Sequence, residues 1–263
     1  MSLTQSYMGD HPDNYYFHGQ VNLIDSSVRN TFQFVIPAGD QKTYRLAQMD
    51  TCTHIQRKNF RFHPPVKISL QARVSDNILP GTWGFGLWND PFSAGIGIKG
   101  SGLRLPCLPQ AAWFFYGSPK NDLSFSQETE NNGLMASVFS SRKIPPVLFL
   151  FGLPVLPLLF FRPVSRQLRR LTSCFIHEES QKADITPSYW HEYELIWLDD
   201  KVQFMIDKKM IRDTNLSPCP PLGLVIWIDN QYASYSSNGA IRFGLEANPQ
   251  SAWLEIRNLE ITT

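Results

Sequence analysis

Glu192 and Glu194 stand two residues apart in a run that alternates apolar and polar positions, so both carboxylates fall on one face of a strand. Such a pair can divide acid and base roles, but it equally makes a solvated strand face, because a glutamate is seldom fully buried. His191 precedes the pair, and His177 precedes Glu178-Glu179. Neither histidine has a second ligand at metal-binding spacing, so no metal is expected. A second polar run, Asp229-Asn230-Gln231-Tyr232, ends the apolar segment Leu222–Ile228 (LGLVIWI). An apolar strand that stops in hydrogen-bonding side chains can give a pocket its orienting groups; a turn after a strand explains the same residues. Asp229, His191 and Glu194 are therefore the candidate acids or bases. No G-x-S-x-G elbow is present, and the glycine-rich GIGIKGSG (95–102) lacks the Lys-Ser/Thr pair and following helix of a phosphate loop.

The elements that must position these residues are strands. Trp190–Ile211 (WHEYELIWLDDKVQFMIDKKMI) places Tyr193, Leu195 and Trp197 on one face of a first strand, and Val202, Phe204 and Ile206 on one face of a second. Asp199-Asp200 and Asp207-Lys208-Lys209 supply the turns. Val66–Val74 alternates cleanly, and Thr31–Ile36 (TFQFVI) reads as a strand before a Pro-Ala-Gly-Asp turn. In Thr82–Trp88 (TWGFGLW) the bulky residues share a face, while Gly84 and Gly86 leave room for a ligand or a neighbouring element at the backbone. Ala111–Tyr116 (AAWFFY) reads as a strand buried on both faces. Residues 1–29 look like an extended lead-in, and Lys42–Phe62 shows no clear period.

Composition suits one large all-β domain. The chain has 263 residues, 43% hydrophobic and 13% aromatic, with 19 prolines and 16 glycines spread among short segments. A net charge of +1 gives no field to attract nucleic acid. Cys52, Cys107, Cys174 and Cys219 are too dispersed for a zinc site or a disulfide framework. The amino-terminal MSLTQSYMGDHPDN lacks a basic start and an apolar run, so a cytoplasmic protein is expected, and the Asn215-Leu216-Ser217 sequon reads as accidental.

Ala72–Phe92 (ARVSDNILPGTWGFGLWNDPF) resembles the strand–turn–strand of family 16 glycoside hydrolases and their laminarinase-like relatives. Trp190–Ile211 is similar to the same family's Trp/Phe-His-x-Tyr strand and its Tyr-Val-Asp-Gly hairpin, with Lys208 where glycine is usual. Trp253–Ile261 (WLEIRNLEI) resembles its closing strand. The resemblance covers about half the chain, in order. It implies a concanavalin A-like jelly-roll sandwich of two curved antiparallel sheets, the concave one forming a binding groove. Family enzymes carry Glu-x-Asp-x-x-Glu on the strand that here reads Ala111–Tyr116, which has no carboxylate. Asp90, Asp122, Glu128 and Glu130 lie near it without that spacing. Retaining hydrolysis needs two carboxylates about 5 Å apart, so this resemblance does not carry the family's activity with it.

Residues 141–171 form a Pro-rich apolar and short helical insertion in an otherwise single jelly-roll domain spanning 1–263. Ile144–Phe161 has no charge and four prolines, too many for a continuous membrane helix. Phe149, Phe151, Phe160 and Phe161 supply its bulk, and Arg162, Arg166, Arg169 and Arg170 follow it. Two readings stay open: a lid over an apolar pocket, or contact with an anionic membrane surface. The expected ligand is a small, partly apolar molecule or a glycolipid. It would be lined by Trp88, Trp113, Tyr116 and Trp227 and oriented by Asp90, Asp229 and Asn230, with Tyr232 beside them. No cofactor is expected. The alternatives are a diverged enzyme of cyclase or isomerase type acting on an apolar metabolite, or a residual glycoside hydrolase.

Overall fold

The computed structural model describes residues 2–3, 15–25, 31–91, 104–121, 132–142, 144, 167, 175–235 and 241–263. Its strands in chain order are β1 (Ser2–Leu3), β2 (Tyr16–His18), β3 (Gln20–Asp25), β4 (Thr31–Ile36), β5 (Leu46–Asp50) and β6 (Val66–Val74). They continue as β7 (Thr82–Trp88), β8 (Ala111–Gly117), β9 (Gly133–Ser141), β10 (Ile176–Lys182), β11 (His191–Trp197) and β12 (Val202–Ile206). The last five are β13 (Lys209–Thr214), β14 (Gly223–Asp229), β15 (Gln231–Tyr235), β16 (Ile241–Leu245) and β17 (Ala252–Thr262).

These strands form an eight-stranded sheet, β1-β3-β4-β17-β6-β11-β12-β13, and a seven-stranded sheet, β10-β9-β8-β7-β14-β5-β2. The hairpin β15-β16 stands apart. Neighbouring strands pair antiparallel, and the two large sheets stack as a jelly-roll sandwich.

Period-two alternation explains why they stack. Val66, Ile68, Leu70, Ala72 and Val74 of β6 are all buried, as are Tyr193, Leu195 and Trp197 of β11 and Val202, Phe204 and Ile206 of β12. They meet Trp83, Phe85 and Leu87 of β7, Phe114 of β8, and Leu224, Ile226 and Ile228 of β14. Phe114 sits at the middle, 5.0 Å from the ring of Tyr193 and 5.2 Å from that of Phe204, both edge-on. Edge-to-face rings add attraction beyond the area they bury.

The alternating segments fold as their pattern dictates, and the differences have local causes. The lead-in contains paired strands, β2 and β3, which join different sheets, because Phe17 and Val21 find core to cover on each side. Lys42–Phe62 holds β5 and a 3-10 turn at Arg57–Asn59. Its strand is masked in sequence because Leu46–Asp50 is covered on both faces and so does not alternate. The second turn of the β11-β12-β13 meander is tighter than three residues: Asp207 and Lys208 both take positive φ, 50° and 65°. Two such residues in a row are the signature of the two-residue turn that matches strand twist, where Asp-Gly is preferred. Lys208→Gly should therefore raise the free energy of unfolding by about 0.5–1 kcal/mol, read from urea denaturation. A neutral or destabilising result would mean that the lysine stem compensates for its backbone.

Candidate functional site

On a strand covered by the opposite sheet, every second side chain must point away from the core. In β8 those side chains are Trp113 and Phe115, both half-buried, with Phe114 between them facing inward. Antiparallel register brings matching outward residues beside them. Trp113 is paired with Gly86 and Ser137, and Phe115 with Gly84 and Met135. Trp227 pairs with Gly84 and with Gln48.

The result is an aromatic cluster on the outer face of the seven-stranded sheet, with Trp113 as its hub. Ring centroids lie 5.4 Å from Trp113 to Trp227, 5.9 Å to Phe115, 6.0 Å to Phe139 and 6.2 Å to Trp88. Phe115 and Trp227 close the group at 6.0 Å. The two glycines of β7 answer the question their sequence raised: the Trp227 indole and the Phe114 carbonyl fill the space beside Gly84, and the backbone of β8 fills that beside Gly86. A Cβ at Gly84 would lie 2.7 Å from the Trp227 ring and 2.4 Å from the Phe114 carbonyl oxygen. At Gly86, with φ +154°, it would lie 2.5 Å from Trp113 Cα. The indole N–H of Trp227 donates to Thr82 Oγ1 at 2.9 Å. That of Trp113 is buried and has no partner among the described residues. The same holds for Trp88 beside it and for Trp83 in the core; an unmet buried donor costs about 1–3 kcal/mol.

One edge of this face carries a polar network that the sequence did not signal. Asp50, which is 1% exposed, accepts from the backbone N–H groups of Cys52 and Thr53 at 2.8 and 2.7 Å. Its other oxygen accepts from Gln48 Nε2 at 2.8 Å and Thr53 Oγ1 at 3.0 Å, and lies 3.2 Å from His18 Nε2. Burial opposes its ionisation, but the bonds from His18, Gln48 and Thr53 outweigh it and hold the carboxyl below its usual value. The neighbouring Cys52 thiol is pushed well up by burial and by the charges of Asp50 and Asp90, which leaves it protonated rather than nucleophilic.

The sequence candidates separate. Trp88, Trp113 and Trp227 share the outer face. Tyr116 is on the other side, stacked 5.4 Å from Trp83 with its hydroxyl bonded to Leu79, because three residues along a strand reverses the face. Asp90 pairs with Arg104. Asn230 is fully buried and structural: its Oδ1 accepts from Arg45 N–H at 2.8 Å and its Nδ2 donates to the Thr43 and Glu246 carbonyls. Tyr232 lies in β15, with Lys120 Nζ 5.7 Å from its ring. His191 is 2.6 Å from Asp207, and Glu194 is 2.7 Å from Lys67, both on the eight-stranded sheet. The three candidate acids and bases are thus not brought together. Asp122, Glu128, Glu130 and the insertion residues Phe149, Phe151, Phe160, Phe161, Arg162, Arg166, Arg169 and Arg170 lie outside the described residues. Among the described residues no cluster of three His, Cys, Asp or Glu could hold a metal, and no helix is long and apolar enough to cross a membrane.

No family model and no curated protein matches this chain. Among solved structures it is similar to a legume lectin-like domain from Entamoeba histolytica, with a TM-score of 0.48 and 12% identity over 100% of this chain and 96% of that one. It is also similar to the LamAcat protein from Zobellia galactanivorans, with a TM-score of 0.47 and 11% identity over 97% and 82%. A third is the binding domain of botulinum neurotoxin DC in complex with SialylT, with a TM-score of 0.43 and 10% identity over 94% and 42%.

Asp229 ties the aromatic face to the end of its sheet. Its Oδ1 accepts from Thr82 N–H, Thr82 Oγ1 and Gln231 N–H at 3.2, 2.8 and 3.2 Å, and its Oδ2 from Tyr44 at 3.2 Å. Burial raises the carboxyl to about 6 against those bonds, and burial with the Asp229 charge raises the Tyr44 phenol. The folded chain therefore holds this proton more tightly than the unfolded one. Stability from this group is intact below about pH 4 and falls as pH rises through about 6, by on the order of 3 kcal/mol. Asp229→Asn keeps the acceptor and lacks the titration. Denaturation from pH 4 to 7 should show the variant gaining on the wild type by that amount; parallel profiles would discard the assignment.

Proposed function

We propose that this chain is a non-hydrolytic sugar-binding jelly roll that takes a sugar, free or as the headgroup of a glycolipid, against the Trp113 cluster. The observation that carries the reading is the half-buried ring group of Trp88, Trp113, Phe115 and Phe139 on the outer face of the sheet. A sugar ring presents C–H groups on one face and hydroxyls around its rim. Aromatic faces accept the first, and isolated polar groups orient the second. Ser137 and Gln48 stand in register beside Trp113 and Trp227, both buried beneath the cluster's margin.

Among the described residues, the carboxylates of this sheet support binding without hydrolysis: Asp229 is engaged by Thr82, Gln231 and Tyr44, and Asp90 by Arg104. Asp50 on β5 and Glu178 on β10 both face outward, but five strand intervals separate them, about 24 Å at ~4.8 Å per interval. A glycosidase pair works within about 5–9.5 Å. Moreover, both Asp50 oxygens are already engaged by the network that holds Gln48 and His18.

A glycan array carrying neutral, acidic and glycolipid-derived sugars tests this reading. At least one sugar should bind the wild type, and Trp113→Ala should weaken that binding by at least ~10-fold, about 1.4 kcal/mol. Trp113→Phe, which keeps a ring but lacks the N–H, should fall between them and guards against a loss due to misfolding. No binding by the wild type, or equal binding by Trp113→Ala, would overturn the proposal.

A further inference from the structure

A cavity of about 220 Å³ opens where β7 and β9 end and β8 and β14 begin, just beyond the register that joins Trp88, Ala111 and Phe139. Arg57, Lys58 and Arg142 line it, and among the described residues no carboxylate does. In a chain whose net charge is +1, three cations around one cavity are a local concentration of charge.

Their partners do not neutralise them. Arg57 donates through Nε to the Asn89 carbonyl at 2.8 Å, through Nη2 to the Asp90 carbonyl at 2.6 Å and through Nη1 to the Leu105 carbonyl at 2.5 Å. Asp90 offers that carbonyl by adopting φ +47°, while its carboxylate is paired with Arg104. Carbonyl acceptors orient a guanidinium without cancelling its charge. Lys58 and Arg142 are exposed, with no carboxylate partner among the described residues. The neutral polar wall is internally satisfied: Gln110 donates to the Ser141 carbonyl at 2.6 Å and accepts from Cys219 N–H at 2.9 Å, and Asn89 donates to the Leu108 carbonyl at 2.9 Å. Lys58 and Arg142 are thus the groups left to meet a ligand, with Arg57 held beside them as a fixed positive charge. Pro220 and Pro221 make an apolar side.

From this geometry we infer a second site, separate from the aromatic face, that binds a tetrahedral oxyanion of the phosphate monoester type. The cavity has the volume of about seven waters at ~30 Å³ each, room for one phosphate group and a small organic remainder. Guanidinium forks match the oxygen spacing of phosphate, and a lysine adds a mobile point charge. Glycerol 3-phosphate carries this chemistry in solution, and phosphatidic acid carries it at a lipid surface.

Calorimetry with glycerol 3-phosphate, with glycerol as the uncharged control, reads the first source. Co-sedimentation with phosphatidic acid vesicles, against phosphatidylcholine vesicles, reads the second. The wild type should bind at least one phosphate form and neither control, and added salt should weaken the binding. Lys58→Gln with Arg142→Gln changes exposed side chains only, so the fold is retained, and this variant should bind ~10-fold more weakly or not at all. Bound glycerol 3-phosphate should also slow maleimide labelling of Cys107 and Cys219, both of which line the cavity. Trp113→Ala should leave phosphate binding intact, which separates this inference from the sugar-binding proposal. Absence of phosphate binding in both formats overturns the inference. So does undiminished binding by the double variant, or binding of glycerol 3-phosphate with unprotected thiols.

Discussion

A strand with large aromatic side chains on both faces must be covered on both faces, and β8 is such a strand. Phe114 points inward to Tyr193 and Phe204, while Trp113 and Phe115 point outward to Trp88, Trp227 and Phe139. The inward contacts join the two sheets; the outward contacts assemble the candidate ligand face. Because side chains alternate with a period of two, neither set can be shifted without the other. A one-residue slip of β8 would put Trp113 into the core and Phe114 onto the ligand face. The core packing that holds the sandwich thus also holds the register of the site.

The end of the same sheet is held by hydrogen bonds rather than by rings. Thr82 Oγ1 accepts from Trp227 and donates to Asp229, so an outer-face indole is linked to a buried carboxyl through one hydroxyl. Next to it Arg45 reaches the Asp40, Thr43 and Glu246 carbonyls, Asn230 bridges Thr43 and Glu246, and Glu246 accepts from Gly81 N–H. These groups connect β5, β7 and β14 to the hairpin region beyond them. Buried polar groups of this kind confer geometry through their bonds, although Arg45 Nε is buried with no partner among the described residues. Their hydrogen-bonding groups are engaged by the scaffold, so the proposed ligand face is assigned to the rings rather than to Asp229 and Asn230.

At the opposite end the balance is reversed. Asn89 and Gln110 satisfy each other and the backbone, with Gln110 N–H donating to Asn89 Oδ1 at 3.0 Å, while the cations around them keep their charge. One sheet therefore presents two unlike surfaces: aromatic along its outer face, and electropositive where β7 and β9 end and β8 and β14 begin.

Much of the scaffold was legible in the chain itself. Alternation in Val66–Val74 and Tyr193–Ile206 marks strands with one core face, and Asp-Lys at 207–208 marks the turn between β12 and β13. β5 and β9 were not legible, because residues covered on both faces lose their alternation. The site was legible as a set of residue types and only partly as a place. Trp88, Trp113 and Trp227 could be suspected, yet parity along β8 already set Tyr116 on the other face. The His18–Asp50 contact spans 32 positions, and Arg57 meets Arg142 at one cavity across 85. Local sequence determined the strand faces through side-chain periodicity, a property of neighbouring residues. Which outward residues stand together was decided by the antiparallel register and sheet order, because hydrogen bonds between distant strands set those neighbours.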